Sequence, residues 1–242
     1  MAIAVAVLIL LLQYPLQRLG FAVWGLPAFR STLLLKGNIL IRFVALISVY
    51  AIFTHLSAAL ETTILAENGL LLQIALLSQF TVNSVGLAPK TLIGNCKGKG
   101  EIELMMPVLY TSVVPGLLIS LPFTVLPVLF SEFVFGLLTS HVEVSHTIHL
   151  YVLWLLPLLS LTAVAFVLEG YFIGLKAGAV LRNSALTALR LGSAPVAISG
   201  WYLQSNHLLW TALTVYMFTL MVILSWQFLK NRQGYSAVFR QT

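Results

Sequence analysis

The sequence predicts an all-α integral membrane protein, on three observations. Sixty per cent of its 242 residues are hydrophobic, with a mean hydropathy of +0.99. Only 8% are charged, whereas a soluble domain carries about 25%. The apolar residues also fall in long runs, and roughly 20 such residues cross a bilayer core about 30 Å thick as a helix. A water-soluble globule is excluded because too few polar side chains exist to cover its surface. Disorder is excluded by the apolar content. A disulfide scaffold is excluded because Cys96 has no second cysteine to pair with.

Seven runs are expected as spans, near 3–28, 38–60, 63–89, 104–130, 148–174, 184–201 and 207–229. All are too long and too continuously apolar for β-barrel strands of about ten alternating residues. Helices then remain as the way to satisfy backbone groups in lipid. The first run is interrupted by Pro15 and Arg18 and reads as a kinked span or a re-entrant piece. It lacks a preceding basic residue and a small-residue cleavage site, so it does not read as a signal peptide. The second follows Arg30 and Lys36 and begins around Arg42. The third carries Gln73, Gln79 and Asn83 and closes on Pro89 and Lys90. The fourth holds Pro107, Pro115, Pro122 and Pro127, which either kink it for packing or serve as hinges. The fifth contains Pro157 and Glu169, the sixth Pro195, and the seventh ends at Lys230.

The basic residues set an orientation. Arg30, Lys36 and Arg42, then Lys97 and Lys99, then Lys176 and Arg182, then Lys230, Arg232 and Arg240 fall at alternate connections. The connections between them, around Glu61, from Ser131 to Thr147 and from Trp201 to His207, contain no Lys or Arg. The positive-inside rule then puts the C-terminus in the cytoplasm. The net charge of +6 belongs to that membrane face, and no basic, aromatic-interleaved surface points to nucleic acid.

Among the seven acids, all Glu, Glu169 lies deepest within an apolar run. An ionised carboxylate at a bilayer centre costs about 2.5–3.5 kcal/mol on insertion scales. Glu169 therefore either pairs structurally with Lys90 or Arg190, or serves a coupling ion or proton. Lys90 either snorkels to the interface or faces Glu169. Glu61 and Glu67 read as solvated positions near the ends of the second and third runs. Gln79 and Asn83, four apart, share a helix face with Gln73 only roughly aligned; such a stripe lines a cavity or joins helices. His141, Glu143, His146 and His149 lack a specific metal-site spacing. Cys96 beside Lys97 and Lys99 is either a mildly activated thiol or incidental. GxSxG, HExxH and Walker A patterns are missing, so no enzyme is expected.

The segments FGLLTS (135–140), LEGYFIG (168–174), LRNS (181–184) and HLLWTALTVYMFTL (207–220) occur in an order that resembles the C-terminal half of MATE (multidrug and toxic compound extrusion) transporters. Upstream, LLLKGNILIR (33–42) resembles the linker into the family's seventh helix, and LAENGLLLQ (65–73) the start of its eighth. The resemblance covers residues 29–232 and looks most like the DNA-damage-inducible protein F branch. It implies a six-helix C-lobe over 30–242, with 1–29 as an extra N-terminal hydrophobic helix. It further implies efflux of amphipathic or cationic small molecules, coupled to H⁺ or Na⁺, across the plasma membrane and without a cofactor. In the family's pattern an acid usually stands at Asn83, a Glu at Lys90, an Asp at Asn38, and an Asp at Glu169. Glu169 is then the expected ion-coupling or substrate carboxylate, with Asn83, Gln79 and Gln73 lining the cavity and Lys90 biasing Glu169. A single lobe implies pairing with a second copy or a separate N-lobe. The alternative reading is a non-transporting, truncated remnant or an interaction-only membrane protein.

Overall fold

The computed structural model describes residues 26–138 and 148–239. Most of the 1–29 segment, with Pro15 and Arg18, lies outside the described residues, as do His141, Glu143 and His146. The described chain is helical, with α1 (Leu26–Leu60), α2 (Thr62–Val85), α3 (Leu87–Lys99), a 3₁₀ turn (Ile102–Leu104), α4 (Met105–Leu129) and α5 (Ser131–Leu138). After the gap come α6 (His149–Val152), α7 (Leu155–Gly174), α8 (Gly178–Thr187), a π-helical segment (Ala188–Ser193), α9 (Ala194–Tyr202) and α10 (Asn206–Phe239).

Among the described residues, five helical stretches are long and apolar enough to cross a membrane: Leu33–Leu60, Thr62–Lys99, Met105–Leu129, His149–Gly174 and Asn206–Lys230. They correspond to the second, third, fourth, fifth and seventh apolar runs. The sixth run is helical too, but divided into α8, the π segment and α9. It still traverses the bundle, because its neighbours begin and end at opposite ends. The Glu169 end of α7 meets Arg42 in the early part of α1, whereas the first residue of α10, Asn206, bonds Asn68 near the start of α2.

Two boundaries differ from expectation. The helix that carries the second span opens at Leu26 rather than near 38, with Pro27 in its first turn, where a missing N–H leaves no bond unmade. The polar stretch from Gly94 does not break the third span, since α3 runs on through Lys99 and closes on Gly100 at φ 79°. The interruption falls earlier, at Gly86. Pro89 has no N–H to offer the Val85 carbonyl, so the helix is reset between Val85 and Leu87.

α7 is the central helix, packed by α2, α3, α4 and α10. Every residue from Ala165 to Phe172 is buried. Small residues allow this closeness, as is usual where membrane helices touch. A Cβ on Gly170 would lie 2.6 Å from the Gly86 carbonyl oxygen, and one on Gly174 2.7 Å from that of Lys90. At the opposite end, Asn68 joins three helices. Its amide donates to Ser57 Oγ on α1 and Asn206 Oδ1 on α10, both at 2.7 Å, while Trp210 Nε1 donates to Asn68 Oδ1 at 2.9 Å. Glu67 beside it is 2% exposed. The expectation of a solvated Glu67 is thereby corrected: the first turns of α2 pack inward rather than forming a water-facing loop. Glu61 is exposed, and accepts from Thr63 Oγ1 at 2.7 Å.

Candidate functional site

Glu169 is fully packed on α7, 4% exposed, and its partner is Arg42, 6% exposed. Arg42 Nε donates to Glu169 Oε1 at 2.7 Å and Nη2 donates to Oε2. This is the bidentate fork that a guanidinium and a carboxylate form best. The ring of Phe43 lies 4.8 Å, and that of Phe166 5.3 Å, from the guanidinium carbon, within cation–π range.

The cation at Glu169 is therefore neither Lys90 nor Arg190, the two partners expected from sequence. Both are exposed. Lys90 begins a new helical turn after the Gly86 break, while Arg190 lies on the π segment.

Arg42 also forms part of the wall of an open groove of about 210 Å³ between α1 and α2. Its other walls include Phe43, Tyr50, Gln79, Asn83 and Phe166. Glu169 is not among the lining residues, so the guanidinium stands between the groove and the carboxylate. Gln79 Nε2 donates to the Tyr50 hydroxyl across the groove. Gln79 is buried and Asn83 exposed at the rim; they come together as four-residue spacing on a helix requires. Gln73 does not join them. Six residues at about 100° each turn it roughly 120° away from Gln79, into a second groove of about 470 Å³ lined with Pro122, Phe123 and Leu126 of α4.

Sequence reasoning missed Arg42, Tyr50 and Phe166 as parts of this site. Tyr50 and Phe166 are unremarkable apolar-run residues, and only the eight-residue step from Arg42 to Tyr50, about two turns along one helix face, hinted at a shared surface. Among the described residues no three metal-binding side chains cluster. His149 is exposed, and Cys96 is buried and free.

Two further cations tie the same end of the bundle. Lys97 Nζ donates to the Leu175 carbonyl at 2.8 Å, at the C-terminus of α7, where positive charge is favoured. Arg182 Nη1 donates to Asn38 Oδ1 at 3.0 Å, joining α8 to α1.

Among the described residues, an all-helical bundle with five long apolar stretches, a central helix lined with small residues and an ion pair beside a groove between two of them defines a polytopic integral membrane protein. The MatE family model matches residues 39–198, about two thirds of the chain. The chain belongs to this family of membrane efflux transporters. It is also 26% identical over 189 residues to DNA damage-inducible protein F of Escherichia coli K12, a match covering 78% of this chain and 41% of that protein. The chain thus spans about two fifths of that relative's length. No solved structure matches it significantly.

Proposed function

We propose that residues 30–242 form the C-terminal lobe of a MATE-type antiporter, and that Glu169 is its ion-coupling carboxylate with Arg42 as a tethered counter-cation. The observation that carries this is the buried Arg42–Glu169 fork set directly behind the α1–α2 groove. An arriving H⁺ or Na⁺ competes with the guanidinium for the same two oxygens. When it wins, Arg42 is released toward the groove, where the faces of Phe43 and Phe166 and the Tyr50–Gln79 pair receive it. The groove thereby changes charge as the coupling ion binds, which is what exchange of an amphipathic or cationic compound for an ion requires. Alternating access then comes from rocking against a second lobe, supplied by a separate chain or a second copy. Residues 1–25, which precede α1, would lie outside this lobe. The charge distribution supports a cytoplasmic C-terminus, and the plasma membrane is the location proposed with it.

The test is ethidium efflux from proteoliposomes under an imposed H⁺ or Na⁺ gradient. The chain is expected to drive efflux, Glu169→Gln to abolish coupling, and Arg42→Gln to weaken its dependence on the ion gradient. Unchanged efflux by Glu169→Gln would remove Glu169 from the mechanism. Absence of efflux under both gradients, also with a separate N-lobe co-reconstituted, would favour the interaction-only reading, in which the fork is a permanent lock.

A further inference from the structure

A second cation lies within the membrane, away from the fork. Arg190 is midway between Gly178 and Tyr202, the ends of the divided sixth crossing. Its depth is fixed independently by Gly192, whose Cβ position lies 2.8 Å from Thr219 Oγ1 and 3.4 Å from the Val215 carbonyl oxygen. Both contacts are near the middle of the Asn206–Lys230 span. Arg190 is exposed, and among the described residues no hydrogen bond or ion pair engages it. An exposed guanidinium at the bilayer midplane is costly unless something anionic or wet meets it.

The backbone at Arg190 is locally irregular. The π-helical segment Ala188–Ser193 displaces the helical register, a distortion frequent at functional sites. Asn183, Thr187 and Arg190, spaced as i, i+4 and i+7 and so on one helix face, line one open cleft of about 490 Å³ together with Leu186 and Leu191. That volume lies in the small-molecule range of about 300–1,000 Å³.

We infer that this cleft binds the head of an amphipathic monoanion, a carboxylate or sulfonate. Arg190 would provide the counter-charge, Thr187 and Asn183 hydrogen bonds, and Leu186 and Leu191 the contact with the tail. Other occupants fit less well. A second copy docked symmetrically through this face would oppose two Arg190 side chains. A bilayer phosphate sits about 15 Å from the midplane, farther than snorkelling recovers for a residue at this depth. The chain's glutamates in described segments other than Glu169 lie at the ends of the bundle: Glu61 and Glu67 at one, with Glu132 just past the end of α4, and Glu101 and Glu103 at the other. The inference takes from the proposed function only that amphipathic molecules reach the bundle. Its test measures binding without transport, so failure of Glu169 coupling leaves it untouched.

The probe is a C16 carboxylate with a mid-chain diazirine, irradiated with the chain in neutral phosphatidylcholine nanodiscs and mapped by mass spectrometry. Saturable labelling is expected around residues 183–191, displaced by hexadecanoate and dodecyl sulfonate but not by hexadecanol. Arg190→Gln should weaken half-saturation about tenfold, the loss of one charge-assisted contact, and Arg190→Lys should restore most of it. Even labelling over the lipid-facing sides of α1 and α4, or equal displacement by hexadecanol, would overturn the inference. Arg190 would then be the seat of a helix from another polypeptide or simply face lipid. The competition arm uses the unmodified chain, so it decides the matter even if a variant fails to fold.

Discussion

Taking a guanidinium and a carboxylate out of water together costs several kcal/mol for each ion, and their attraction repays this only with good geometry. The Arg42–Glu169 fork has that geometry, and its removal should be asymmetric. Arg42→Met alone or Glu169→Leu alone leaves a buried charge unpaired, a loss of about 3–5 kcal/mol. The double variant Arg42→Met/Glu169→Leu removes both charges and should recover most of the loss. Unfolding midpoints in mild detergent, read as a double-mutant cycle, check this; additive losses would show that the two side chains do not depend on each other. Glu169 was conspicuous in the sequence as an acid in an apolar run, but its partner was not. The two are 127 positions apart, and a span starting near 38 puts Arg42 at the interface. In the structure the helix already runs from Leu26, so Arg42 is a helix-interior residue packed against α7 rather than a residue at a helix end. Glu67 was misjudged for a similar reason, since proximity to a helix start says nothing about which neighbour covers it.

At the scale of elements, the contact between α3 and α7 depends on missing side chains. Gly170→Ala must push its methyl group against the Gly86 carbonyl, 2.6 Å away, and backbone cannot yield as a flexible side chain does. The expected loss is about 1–3 kcal/mol, as for overpacking elsewhere. Gly69→Ala on α2 is the matched control, because nothing lies within 4 Å of the added methyl. There the better helix former should gain roughly 0.5–1 kcal/mol. Equal shifts in the two unfolding midpoints would refute the packing account. The spans themselves were legible because lipid imposes length and apolarity on any helix that crosses it. The Gly86 break had a visible cause in Pro89, although its position was not read from it. The π-helical segment had none in the sequence; in the structure it lies where Gly192 packs closely against Thr219 of α10.

For the whole molecule, the arrangement of helices makes the basic residues a statement about sides. Six crossings bring the start of α1 and the end of the Asn206–Lys230 span to one face. On that face Lys97 meets the α7 terminus, and Arg182 meets Asn38. The turn before Asn206, where Gln204 sits at φ 50°, belongs to the other face. If the positive-inside rule governs insertion, the first face is cytoplasmic. The chain allows a clean measurement, because Cys96 is its sole cysteine and is buried. In a Cys96→Ala background, Gln204→Cys should react with a membrane-impermeant maleimide added to intact cells. Lys99→Cys, exposed at the end of α3, should react only after the membrane is permeabilised. The reverse pattern would invert the orientation and place the Arg42–Glu169 fork nearer the outer surface, where it would meet the coupling ion from the opposite side. Reaction of both from outside would contradict the three crossings between them and break the topology that puts Arg190 at mid-depth.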